Sequence, residues 1–214
     1  MISPKLVKGG IVEVDPTTGQ TQRIIALQYN PDTLTRSFQV QASGTEGGDR
    51  SQALRLKGPA VETLKLDAEI DATDRLEFPD QDPTVVSSGI HAQLAALETL
   101  VHPSADALQA NDALAGAGLL EVLPLQAPLT VFVWGRNRVA PVRITDLSIT
   151  EEAFDASLNP IRAKVSLGMR ILSVDDLGFD HRGGALFMGY LRGRETLATK
   201  AGSVPFSRLG IEGV

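Results

Sequence analysis

The feature that most constrains this chain is a strict two-residue alternation that occurs twice. In 62–71 (ETLKLDAEID), Leu64, Leu66, Ala68 and Ile70 share one parity, and Thr63, Lys65, Asp67, Glu69 and Asp71 share the other. In 163–171, Ala163, Val165, Leu167, Met169 and Ile171 alternate with Lys164, Ser166, Gly168 and Arg170. Successive side chains of a strand point to opposite faces, so each segment predicts a strand with one packed and one wet face. Upstream, 129–134 (LTVFVW) is a short β-branched and aromatic run that holds the only tryptophan, Trp134, and stops at Gly135. Val142, Ile144, Leu147 and Ile149 form a further run, and Asn159-Pro160 supplies the turn before the second alternating strand. Together they predict an antiparallel meander with one face packed and the other left to water or a neighbouring subunit.

The N-terminal third reads the same way. Ile11, Val12 and Val14 precede the turn cluster Asp15-Pro16-Thr17-Thr18-Gly19, and 21–29 (TQRIIALQY) is its hairpin partner. After Asn30-Pro31-Asp32, Leu34, Arg36, Phe38 and Val40 alternate with Thr35, Ser37 and Gln39. One helix is expected at about 88–101, capped by Ser87 or Ser88. Ile90, Leu94, Leu97 and Val101 make its apolar stripe, and His102-Pro103 ends it. The Ala-, Leu- and Gly-rich stretch 104–128 is open between a second short helix before Gly116 and a long loop. After Leu172 the pattern dissolves. Residues 179–214 read as a basic C-terminal extension, with Arg182, Arg192, Arg194, Lys200 and Arg208 against Glu195 and Glu212. Leu186, Phe187, Met188, Tyr190 and Leu191 have no evident core to join, so the extension either orders on a partner or wraps over its own domain. The domain proper is 1–178, and cutting away 181–214 is expected to leave it folded.

Composition excludes several classes. With no cysteine among 214 residues there is neither a disulfide nor a thiolate metal site, which fits a cytoplasmic origin. His91, His102 and His181 lack metal-ligand spacing, so no metal or other cofactor is expected. A net charge of −6 argues against nucleic acid as partner, and no apolar run is long enough to span a membrane. The N-terminal residues lack the apolar region of a secretion signal. The polar, Gly-rich 42–49 reads as a loop, without the spacing of a phosphate cradle. Asp67, Glu69, Asp71 and Asp74 cluster, but they alternate along one strand face with Lys65, whereas acid–base catalysis needs two carboxyls in different environments facing one cleft. No catalytic residue is assigned, and a hydrolase built on Asp71 and Asp74 ranks last. A carbohydrate- or cell-wall-binding β module is the main alternative to a structural role. It would need aromatic platforms, and aromatics are only 5% of the chain.

Several pieces, in order, resemble the tube-forming domain of contractile injection systems, the phage-tail-like machines. They are 29–34 (YNPDTL) with the strand after it, Leu56-Lys57-Gly58-Pro59 leading into 62–74, the run 131–135 (VFVWG), and 149–172 with Phe154, Asn159-Pro160 and Arg162-Ala163. The resemblance covers about residues 20–175 and is nearest to the adaptor or tube-initiator subunit between spike hub and inner tube. It implies a mainly β fold, an antiparallel sandwich or barrel of tail-tube type with one flanking helix, assembled as a six-fold ring. Implied partners are copies of the chain itself, the inner tube protein, the spike or hub protein and other baseplate subunits. The particle would assemble in the cytoplasm and can be released from the cell. Adaptors of this type often end in a LysM-like module, and 179–214 is too short for one. Lys65, Asp67, Glu69, Arg182, Arg192 and Arg194 are the candidate subunit-interface residues.

Overall fold

The structure is a computed structural model and describes residues 6–42, 55–116 and 127–213. The protein is mainly β. Seven strands form one antiparallel sheet: β1 (Gly10–Val14), β2 (Thr21–Ala26), β3 (Leu34–Gln39), β4 (Val61–Asp71), β5 (Leu129–Val133), β6 (Val139–Phe154) and β7 (Pro160–Ile171). Their spatial order is β2-β1-β5-β6-β7-β4-β3, with every neighbouring pair antiparallel. The expected β1–β2 hairpin and the β5–β6–β7 meander are both present. The described strands belong to a single sheet, with β2 and β3 as its open edges. That sheet curls strongly. Gln28, just after β2, exchanges side-chain hydrogen bonds with both backbone groups of Asp71 at the end of β4, nearly the whole sheet away in strand order.

The alternation works as read. Leu66 pairs with Leu167, Leu64 with Met169, and Val142 with Ile171, and all six are buried on the inner face. Ile11, Phe132 and Ala140 continue that core across β1, β5 and β6. Trp134 is half-buried, stacked on Phe132 at 5.9 Å between ring centroids and lying over Gly9.

The helices depart most from expectation. The described residues contain six, where the pattern predicts one and leaves a second before Gly116 open: α1 (Thr73–Leu76), α2 (Pro83–Ser88), α3 (His91–Glu98), α4 (Ala105–Gly116), α5 (Val174–Leu177) and α6 (Arg182–Thr199). The helix expected at 88–101 is α3, which is shorter at both ends. Ser87 and Ser88 do not cap it; they close α2, whose N-cap is Asp82, accepting from the Val85 N–H, with Pro83 in the first turn. Between the helices Gly89 has φ +55°, where a side chain is strained, and a Cβ there would also collide with the Pro160 carbonyl. The break is therefore built in. It is strapped to the β6–β7 turn, since Ile90 N–H donates to the Pro160 carbonyl at 2.8 Å and the Asn159 amide to the Ser87 carbonyl at 3.4 Å. Ile90, Leu94 and Leu97 are buried against Ala163 and Val165, as the stripe predicts, while Val101 lies beyond the helix and is exposed. Of 104–128, the part up to Gly116 is helical (α4), and 117–126 falls outside the described residues, as does most of the Gly-rich 42–49.

The C-terminal segment does not dissolve. Ser173 and Asp176 form a capping box that starts α5. His181 caps α6, its Nδ1 accepting from the Gly183 N–H at 3.0 Å. Phe187 and Tyr190 of α6 are buried in the core with Leu64, Val142 and Met169. Thus α3 covers one end of the inner face and α6 the other.

Candidate functional site

Three arrangements could carry function. The first is the outer face of β4, β7 and β6. The parity that buries Leu64, Leu66 and Ala68 sends Lys65, Asp67 and Glu69 outward, and all three are exposed. Register places them beside Gly168, Ser166 and Lys164 of β7, which in turn face Asp146, Ser148 and Thr150 of β6. Arg162 bonds Asp71 at 2.8 Å and lies 3.6 Å from Glu69, and Lys164 reaches Glu152 at 2.6 Å. Lys65, Arg143, Arg162, Lys164 and Arg170 thus stand among Asp67, Glu69, Asp71, Asp146 and Glu152, and Arg170 is held by Asp176 of α5 at 2.7 Å, so the face mixes both signs of charge. Exposed pairs of this kind add little to folding, so the charge pattern is available for recognition.

Asp71 is the best-anchored acid of the group. The Thr73 hydroxyl and backbone N–H, then Arg162, hold its carboxyl below the usual carboxylate range. A folded-state value below the unfolded one gives stability that is present above about pH 4 and lost as pH falls through the folded value. Asp71→Asn is therefore expected to flatten the acid limb of a plot of thermal midpoint against pH, and to lower the midpoint by a few degrees at neutral pH. An unchanged acid limb would mean that other carboxylates set it. Asp74 does not join Asp71; it lies at the mouth of the cleft described below.

The second arrangement centres on Glu62. Its carboxylate is 3% exposed, on the apolar face, because Glu62 shares the parity of Leu64 and Leu66. Arg36 of β3 grips it through Nε at 2.8 Å and Nη2 at 2.7 Å, Arg194 of α6 reaches it at 2.9 Å, and the Tyr190 hydroxyl donates to it at 3.2 Å. Both guanidinium groups lie 5.0 Å from the ring centroid of Phe38, and Arg194 also stacks on Tyr190 at 4.4 Å. Burial pushes the Tyr190 hydroxyl up from its ordinary range, so it stays protonated and donates. This cluster fastens α6 to the β3 edge.

The α6 arginines grouped by sequence are therefore separated. Arg194 turns inward onto Glu62. Arg182 lies against the β1–β2 turn, 3.5 Å from the Thr18 carbonyl. Arg192 is exposed and forms no ion pair among the described residues. The Glu62 cluster went unassigned in the sequence although its signal was there, since Glu62 and Arg36 each carry a charge at an inward parity.

The third is a cleft of about 710 Å³ under the curl of the sheet. Ile25, Leu66, Ala68, Val165 and Leu167 floor it, α3 walls it with Ala96 and Leu97, and Lys8, Arg23, Asp74 and Arg75 are the charged side chains around it. Among the described residues no group of three or more His, Asp or Glu could hold a metal, and no helix is long and apolar enough to cross a membrane. No protein-family model matches the chain, and no curated protein matches it in sequence.

Proposed function

We propose that this chain is a structural, non-catalytic subunit of a contractile injection system. It forms a six-fold ring of tail-tube type at the baseplate end of the inner tube, linking spike hub to tube. The observation that carries the reading is the division of labour across the sheet. Helices α3 and α6 cover the inner face, while the outer face of β4, β7 and β6 is one continuous polar surface of mixed charge. A subunit lining a channel or abutting identical neighbours needs such a face, because matched charges on adjacent copies orient assembly while apolar and main-chain contacts supply its affinity. The open edges β2 and β3 support the same reading, since unpaired edges are an aggregation liability unless a neighbour closes them. The ordered motifs at 29–34, 56–59, 131–135 and 149–172 support the choice of family by resemblance. Assembly would take place in the cytoplasm, in a particle that can be released. A carbohydrate-binding role draws no support from Trp134, whose ring is stacked on Phe132 instead of forming an open platform.

The test is ultracentrifugation of a lysate from the native cell, with mass spectrometry and imaging of the pellet. Low copy beside sheath and tube proteins is the expected result. Copy number equal to the main tube protein would make the chain a tube repeat, and absence from every large particle would overturn the assembly reading.

A further inference from the structure

The N–H groups that begin a helix have no partner inside it and need one from outside. In α6 the partner of the Gly183 N–H is the His181 ring, whose Nδ1 accepts it at 3.0 Å. An imidazole nitrogen accepts only while it carries no proton, and the imidazolium has two N–H donors and no acceptor. At an exposed helix end water replaces a lost cap. This end is closed in. Gly183 and Gly184 are both buried, a Cβ on Gly183 would strike Leu177 and meet Leu129, and one on Gly184 would strike the Gly178 carbonyl. Without the His181 acceptor, the Gly183 N–H faces an apolar setting, where an unmade hydrogen bond is costly.

The surroundings do not compensate a charged ring. His181 lines a cavity of about 410 Å³ with Leu129, Val142 and Leu177, and among the described residues the only other charged side chain on that wall is Arg143 of β6. Arg182, next to it on α6, reaches the β1–β2 turn, where it lies near the Asp15 carboxylate. Asp180 is exposed, Asp176 of α5 is engaged by Arg170, and Asp175 lies against Gly58. No carboxylate among the described residues is within ion-pair distance of His181. A positive ring would also face the positive end of the helix dipole.

We propose that His181 is an acid-sensitive latch, which holds the start of α6 while neutral and loosens the helix when it takes up a proton. Imidazoles change charge between about pH 5 and 8, above the range in which carboxylates such as Asp71 titrate. The loosened segment carries Phe187, Tyr190 and Arg194, so acidification weakens the cover over Leu64, Val142 and Met169 and one of the grips on Glu62. The latch belongs to the single chain and stands or falls separately from the assembly reading. His91 acts in the other direction, since its charge lies near the Asp155 carboxylate and favours it. His102 is exposed beyond α3.

The test is hydrogen exchange of the full chain at about pH 7.5 and about pH 5.5, with rates corrected for the intrinsic effect of pH. The opening constant of the α6 amides is expected to rise about tenfold at the lower pH. His181→Asn, whose amide oxygen caps at either pH, is expected to show no rise, and His91→Asn to keep it. No rise in wild type, an equal rise in His181→Asn, or a rise lost in His91→Asn would overturn the proposal. Should His181→Asn fail to fold, His181→Asp takes its place. In wild type the Gly183 amide resonance must also move with the titration of the His181 ring, and a resonance that stays in place would overturn the proposal too.

Discussion

A chain lacking residues 179–214 is expected to lose cooperative thermal unfolding. The sequence pattern alone suggests the opposite, a self-sufficient domain with a removable extension. In the structure α6 is part of the core: Phe187 and Tyr190 are each 5% exposed and pack on the residues that β4, β6 and β7 turn inward. Burying two such side chains contributes about 3–6 kcal/mol, against a total stability of about 5–15 kcal/mol for a typical domain. The cut also uncovers Leu64, Val142 and Met169 and removes two of the three groups that bond the Glu62 carboxylate. Calorimetry and tryptophan fluorescence of the truncated chain should show a broad, weak transition or none. A sharp melt within a few degrees of the full chain would mean that the sheet and α3 suffice.

The second large effect is expected from Glu62→Gln. The substitution keeps the shape and removes the charge that two guanidinium groups share. Breaking a buried ion pair from one side costs about 3–5 kcal/mol when both partners are dry. Here the arginines are 26% and 30% exposed, so water screens them in part. About 2–3 kcal/mol is the expected loss, a fall of roughly 5–10 °C in the melting midpoint for a chain of this size. Arg194→Ala should cost less, since Arg36 and Tyr190 still hold the carboxylate. The double variant should fall short of the sum of the singles, because Glu62, Arg36, Arg194 and Tyr190 act as one unit. Equal midpoints for Glu62→Gln and wild type would show that α6 is held by apolar packing alone.

The strands were legible because a half-buried strand writes its two faces directly into the sequence, as at Leu64, Leu66 and Ala68. β6 was only partly legible. Its sixteen residues carry register shifts after Ile144 and after Glu151, and each shift resets the parity on which the reading depends. Helix α6 was missed because Gly183, Gly184, Gly189 and Gly193 give it the composition of a loop. The structure supplies a reason at Gly184, where a Cβ would collide with the Gly178 carbonyl, so close approach to the preceding turn outweighs helix propensity. The candidate site was half legible. Parity placed Lys65, Asp67 and Glu69 on the outer face, but nothing local showed that Arg194 reaches back 132 residues to Glu62. Contacts of that kind depend on how the sheet curls, which is decided by the whole core.

The strap between the Gly89 break and Pro160 has a mechanical implication. Because the tip of the β6–β7 hairpin and the entrance to α3 share one main-chain hydrogen bond and a second from the Asn159 side chain, they are expected to travel together. A push on the hairpin would swing α3, and α3 is one wall of the cleft. Any force applied to that hairpin would therefore be felt as a widening or narrowing of the groove some distance away, with the strap serving as the pivot.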